Sequence, residues 1–428
     1  MSSAATNAFA APQLGRCALG GRAAQIALVG FVAGHAFLPN VWLHLGWLLI
    51  AGVTACVCVD WTPQIKRWRR DAGALSVILF LAWMTLRSCL QMPLVSGSTQ
   101  NEVIRGILGI LLLLMFCALV WQQSQTRGSL RLVGWATCVA AALAALISIV
   151  LCCFVLPGHH VGERLQNFLV HGGLNPVCTG LTFGFAALWL AVLVEDVTTP
   201  WQRRLSWAAC MLLHFATFLS GSRGAMLAMA AGHAVLLTTR GWRRGRAALG
   251  VFLLTGTIYF TTGPLLALTL PSGASPSAYA LQTALDRGDN GRLDIYGAGW
   301  HAVDNVWLGT GQWGVREVWQ CELQARSDTS LLEHLHSAFF ATLVHGGLVA
   351  ACLLLLMLAY GIRRACLLAA RGDPAWISLL AFGCAGLLFD GESLASLATA
   401  PRFEGLLFWL PLTVALARGA VTAPRADF

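Results

Sequence analysis

Four residues suited to handling an anion and a proton sit in short motifs along the chain. They are Arg164 in GERLQN (162–167), Arg223 in SGSRG (220–224), Arg292 in NGRLDIYGAGW (290–300) and His336 in HLHS (334–337). A guanidinium offers a planar fork of donors that matches phosphate oxygens two at a time. A neutral imidazole can take a proton from a hydroxyl or orient one, a contribution of about 10²–10⁴ in rate. Arg223 falls where a helix should begin, and a cation at a helix N-terminus costs about 0.3–1 kcal/mol. That placement makes sense if an anion sits between the guanidinium and the free N–H groups. Plainer readings stand beside these. Arg223 can snorkel to lipid phosphate, Arg292 can pair with Asp289 or Asp294, and His336 can be an interfacial hydrogen-bonding group.

The elements that must position these residues are apolar. The chain is 57% hydrophobic and 11% charged, with mean hydropathy +0.68; a soluble protein carries about 25% charged residues. Its apolar runs are continuous over about 17–22 residues and do not alternate, which excludes an outer-membrane barrel. The expected class is an all-α polytopic membrane protein. Twelve spans are read at 24–39, 41–59, 73–92, 103–121, 133–156, 175–194, 204–220, 223–239, 247–269, 337–359, 375–390 and 403–417. The organisation is therefore 1–269 with nine spans and short loops, 270–336 as one long loop with interfacial helices, and 337–428 with three spans and a tail. The net charge of +9 points to topology and not to nucleic acid. With the N-terminus inside, 19 of the 28 basic residues fall in cytoplasmic segments such as KRWRR and RGWRRGR, which places both termini in the cytoplasm. Met1–Arg22 lacks the apolar core of a cleavable signal, so the first span is expected to act as signal-anchor. The cysteines lie mostly in apolar spans, as small hydrophobes.

On this reading the four motifs share the outer face, where arginine is disfavoured and so needs a reason. The stretch from Asp286 to Gly347 is central: a long loop with its own structure in a compact membrane protein is usually functional. Leu293, Ile295, Tyr296, Trp300, Val303 and Trp307 read as a helix lying along the interface, and GTGQWG (309–314) as the tight turn that ends it. Asn175 and Pro176 read as a helix cap and first turn. His334 and His336, two apart, face different sides of a helix, so no shared metal is expected even with Glu333 beside them. His345 reads as structural. Asp390, Glu392, Arg402 and Glu404, in the last outer loop, can order the site or pair with the loop arginines, and Arg287 and Arg316 remain unassigned.

The ordered set GERLQ…NP, SGSRG, NGRLDIYGAGW, GTGQWG and HLHS with a following VHGGL resembles the O-antigen ligase and polymerase superfamily, over roughly Gly162 to Leu348. The resemblance implies a GT-C-type glycosyltransferase of the bacterial inner membrane, acting at the periplasmic face. It implies a donor glycan on undecaprenyl pyrophosphate, a hydroxyl acceptor on the lipid A core oligosaccharide, membrane lipid as surroundings, and no nucleotide sugar, cofactor or obligatory metal. By motif position Arg223 and Arg292 would hold the pyrophosphate, with Arg164 and Arg402 as further substrate-binding residues, and His336 would be the catalytic histidine. Ser337 stands where the family often has Asn. Inversion at the anomeric carbon is the expected outcome.

Within that superfamily a polymerase would use lipid-linked glycan as both donor and acceptor. A protein O-oligosaccharyltransferase typically adds a large C-terminal soluble domain, whereas this sequence stops shortly after its last span. From another class, a lipid-linked glycan transporter would show mid-span ionisable residues, broken helices and an internal repeat; few mid-span charges and no clear repeat are found.

Overall fold

The computed structural model describes residues 11–91, 97–126, 128–156, 164–170, 175–269, 292–311, 335–395 and 403–421. Arg287, Arg316, His334, Arg402 and residues 312–314 of the glycine motif lie outside them. Among the described residues there is helix and no strand. In chain order the helices are α1 (Ala11–Phe37), α2 (Val41–Cys58), α3 (Trp61–Arg70), α4 (Ala72–Gln91), α5 (Gly97–Ser124), α6 (Ser129–Val150) and α7 (Pro176–Leu193). They continue as α8 (Pro200–Leu219), α9 (Arg223–Arg240), α10 (Trp242–Thr269), α11 (Arg292–His301), α12 (Ala338–Ala370), α13 (Ala375–Phe389) and α14 (Leu410–Val421). One π turn, Leu151–Val155, follows α6 and another, Gly405–Trp409, leads into α14.

Each of the twelve apolar segments expected from the sequence falls on one of these helices. Six are long and apolar enough to cross a membrane: α2, α4, α5, α6, α7 and α12; α13 and residues 405–419 form shorter apolar helices. The remaining expected segments, on α1, α8, α9 and α10, are helical but are not among those six. The chain is therefore a helical membrane protein.

α7 is apolar all round, and every residue from Thr179 to Leu193 is buried, as expected of a helix enclosed by others. It packs against α6, α8, α9 and α13, and α9 and α13 form the most extensive contact in the fold. At one end of the bundle the basic residues of α3 are exposed and ion pairs join distant segments: Arg364 to Asp71, Arg418 to Asp373 and Arg240 to Glu195. The other end gathers Arg164, Arg223, Arg292 and His336.

Two differences from the sequence expectation concern that second end. The helix begun by Arg292 stops at His301, and Asn305 makes the next turn by accepting from the Trp307 and Leu308 N–H groups at 3.0 and 3.2 Å. The glycine motif is not merely the turn that ends it. Gly309–Gly311 runs beside a break in α12, where Gly347 adopts φ 66°. At a break, carbonyls and N–H groups lose their i, i+4 partners and must find others. Here the Val344 and His345 carbonyls accept from the Thr310 and Gly311 N–H groups at 2.8 and 2.7 Å, and the Leu348 N–H donates to Val306 O at 2.9 Å. Trp83 Nε1 donates to Gly346 O at 2.8 Å. The first turns of α12, which follow His336 and Ser337, are thus a short separate helix.

Candidate active site

The tight turn between α8 and α9 places Arg223 as expected. Ser220 ends α8, Gly221 takes φ 60°, and Ser222 caps α9 by accepting from Ala225 N–H at 3.3 Å. Arg164 docks on the same turn: its Nε donates to Ser220 O at 2.9 Å, and the neighbouring Leu165 N–H donates to Leu219 O at 2.8 Å. Asn167 holds that segment in place. Its side chain donates to Ala36 O of α1 at 2.9 Å, and its backbone N–H donates to Thr179 Oγ1 of α7 at 2.9 Å. The Asn175–Pro176 cap of α7 forms as predicted, with Val177 N–H donating to Asn175 Oδ1 at 2.8 Å.

These elements enclose a cavity of about 850 Å³. Arg164, Ser222, Arg223, Arg292, Tyr296 and Ser337 form its polar part, and leucines and phenylalanines of α9, α12 and α13 form most of the rest. Three arginines separated in sequence thus share one cavity, with the N-terminus of α9 among its walls. Such a cavity accepts a molecule with an anionic head and an apolar body. Part of the apolar wall is also outward-facing: Leu227, Leu355 and Leu388 are at least half exposed.

Ser337 lines the cavity and His336, one residue before it, stands just outside the lining. His336 has φ 51°, the only non-glycine positive φ among the described residues, a conformation that costs about 1–2 kcal/mol. Ser337 then caps α12 by accepting from Phe340 N–H at 3.3 Å. His336 Nδ1 faces Asp390 Oδ1 at 3.4 Å; the histidine side chain is 24% exposed and the carboxylate 5%. Asp390 thus faces the histidine. It is held by the loop that follows α13: Gly391 has φ 103°, Glu404 accepts from Glu392 N–H at 3.0 Å, and Trp409 Nε1 donates to Leu394 O at 2.7 Å. A carboxylate on Nδ1 fixes the tautomer and leaves Nε2 as the acceptor, the logic of an oriented general base. Replacing Asp390 with Asn is expected to lower the turnover number by about 10–100-fold, as for other carboxylates that orient an imidazole, with substrate KM little changed; steady-state kinetics in nanodiscs checks this.

Tyr296 is a residue that sequence reasoning assigned only to the interface. It lies one turn after Arg292 on the same face of α11, it lines the cavity together with Ser337, and its ring packs on Phe340 at 4.8 Å. Burial pushes the phenol above its ordinary pKa, the Arg292 cation and the Ser337 hydroxyl pull it back, and Asp390 pushes it up again. The phenol therefore stays neutral beside the arginine. The i, i+4 spacing from Arg292 was the available signal. His345 is buried in α12, away from the cavity lining. Among the described residues no three His, Cys, Asp or Glu side chains converge as metal ligands.

Residues 208–355 match the family model described as O-antigen ligase. Over this stretch the chain is similar to the O-antigen ligase family. The stretch contains Arg223, Arg292, Tyr296 and His336, while Arg164 and Asp390 reach the site from outside it. Members of the O-antigen ligase/polymerase superfamily are glycosyltransferase-like enzymes that work on lipid-linked glycans. No curated protein matches the chain.

Proposed function

We propose that this protein is an O-antigen ligase of the bacterial inner membrane. It transfers glycan from undecaprenyl pyrophosphate to a sugar hydroxyl of the lipid A core oligosaccharide at the periplasmic face. The observation that carries the reading is the joining of three arginines and an apolar wall in one cavity, beside an oriented histidine. The apolar wall suits a polyprenyl tail and the arginines suit the pyrophosphate. Twelve spans in a GT-C-type arrangement, with both termini cytoplasmic, put the cavity on the periplasmic side.

The residues then divide the work. Arg164, Arg223 and Arg292 bind the pyrophosphate and neutralise the negative charge that develops on its leaving oxygen as the glycosyl bond breaks. His336 accepts the proton of the attacking hydroxyl at Nε2, and Asp390 stabilises the imidazolium so formed. Attack from the face opposite the leaving group inverts the anomeric carbon. The arginines supply the positive charge for which other phosphate-transfer sites use a metal ion, so no obligatory metal is required.

The test is transfer in vitro from purified undecaprenyl-pyrophosphate glycan to purified lipid A core in the presence of EDTA. Wild type is expected to form product, and Arg223→Ala and Arg292→Ala are each expected to lose about 2.7–4 kcal/mol of transition-state stabilisation, or roughly 10²–10³ in rate. Lengthening of the donor glycan with no product on the core would replace the ligase reading with a polymerase. Loss of wild-type transfer in EDTA, restored by a divalent ion, would overturn metal independence.

A further inference from the structure

The cavity leaves Arg87 of α4 unexplained. It lies near the same end of the bundle, yet it is not a lining residue. Its guanidinium reaches across to main chain: Nε donates to Leu308 O at 2.7 Å and Nη2 to Gly309 O at 2.8 Å. One helical turn earlier, Trp83 binds Gly346 O. Two side chains on one face of α4 thus grip both partners of the break, one holding the glycine turn and the other the end of the short helix 338–346.

We infer that Arg87 is a positioning residue for the transfer step, fixing through the glycine turn the short helix that Ser337 caps and the attached His336. The inference rests on the proposed transfer reaction. A helix of this length has little stability of its own. It joins the remainder of α12 only through Gly347, and the turn opposite bends at Gly309 and Gly311, both with positive φ. Across the break the backbone bonds run between residues 306–311 and 344–349. The two carbonyls gripped by Arg87 belong to the first of these segments, so the guanidinium sets where that segment lies. Lysine cannot replace it fully, because two successive carbonyls pointing at a fixed spacing need a planar fork. Charge assistance makes each bond roughly twice as strong as a neutral one. Arg223 stands at the α8–α9 turn and Arg164 docks on it, and this grip does not touch that turn.

The experiment uses the full-length protein in nanodiscs, with the lipid-linked donor and lipid A core as substrates. Arg87→Gln is expected to lower the turnover number by about 10²-fold, the cost of an ~1 Å misplacement of a catalytic group, with donor KM unchanged. Arg87→Lys should fall between, and guanidinium ion should restore part of the activity of Arg87→Gly. Hydrogen–deuterium exchange is measured on the same samples. In Arg87→Gln it should rise at the Thr310, Gly311 and Leu348 amides and stay unchanged in α7, α8 and α9. Wild-type turnover in Arg87→Gln would overturn the inference, as would a rise in donor KM alone, which would make Arg87 a donor ligand. A rise of exchange throughout the protein would also overturn it, by showing a general loss of stability. If wild type transfers nothing, the proposed reaction fails, and the exchange pattern still decides whether Arg87 holds the break.

Discussion

Replacing His336 with alanine is expected to lower glycan transfer by about 10²–10⁴-fold, with donor binding retained. The imidazole is the group that faces Asp390 beside the cavity, whereas the three arginines that suit the pyrophosphate stand on other elements. The backbone of His336 allows a sharper version of the test. With φ 51° it occupies a region that disfavours any side chain, so His336→Gly removes the imidazole and the strain together. Glycine there should be as inactive as alanine and more stable than it by about 1–2 kcal/mol, read as a higher midpoint of thermal unfolding in nanodiscs. That combination marks a residue kept against its own backbone preference for its chemistry. Full transfer by His336→Ala would remove the catalytic assignment. Lower stability of the glycine variant than of the alanine variant would remove the strain argument.

Gly347→Ala is expected to have the largest effect on folding. A Cβ at this position would lie 2.2 Å from Trp307 O and 2.6 Å from Gly309 N, at a φ of 66°. Both neighbours are backbone atoms of a segment already tied to α12 by hydrogen bonds, so neither can retreat cheaply. Strained backbone and forced separation together should cost about 3 kcal/mol or more. Size-exclusion profiles and thermal unfolding of the extracted protein read this out. Gly250→Ala in α10 is the comparison: nothing lies within 4 Å of its Cβ, and alanine there should be neutral or stabilise by up to about 1 kcal/mol. Equal behaviour of the two variants would mean that the break at Gly347 is not fixed by close approach of the glycine turn.

Local chemistry at helix ends is readable in the sequence alone. Asn175–Pro176 caps α7, SGSRG makes a tight turn, and Arg223 opens α9, because caps and turns depend on residues a few positions apart. The span count put Arg164, Arg223 and Arg292 on one face, Arg164 in a loop and the other two at helix starts, and that all three line one cavity is a tertiary fact. The His336–Asp390 pair joins residues 54 apart, and no local rule selects Asp390 over the other acids of its loop. The break in α12 was hidden for a different reason. Two glycines inside an apolar run read as a weakened but continuous helix, since a single glycine costs only ~1 kcal/mol there. What breaks the helix is the backbone of residues 306–311 filling its vacated bonds, and that partner is a tertiary one. Tyr296 reads from the sequence as an interfacial aromatic residue, and its place in the cavity lining beside Arg292 depends on the tertiary packing of α11.

The complete enclosure of α7 has a consequence for how the chain is made. This helix must enter the bilayer as a lipid-facing segment, which its uniform apolarity permits. In the finished molecule, however, its residues from Thr179 to Leu193 have exchanged lipid for protein. One of its covering helices, α13, is encoded far downstream and leaves the ribosome on the order of 10 s or more after it, at about 5–20 residues per second. Until then α7 is sheathed by α6, α8 and α9 on one side and by lipid on the other. The turn carrying Arg223 is thus synthesised and placed early, whereas Asp390, at the end of α13, arrives late. On the proposed mechanism, the anion-binding and proton-handling halves of the site are therefore assembled at different times, and α7 is the seam they close over.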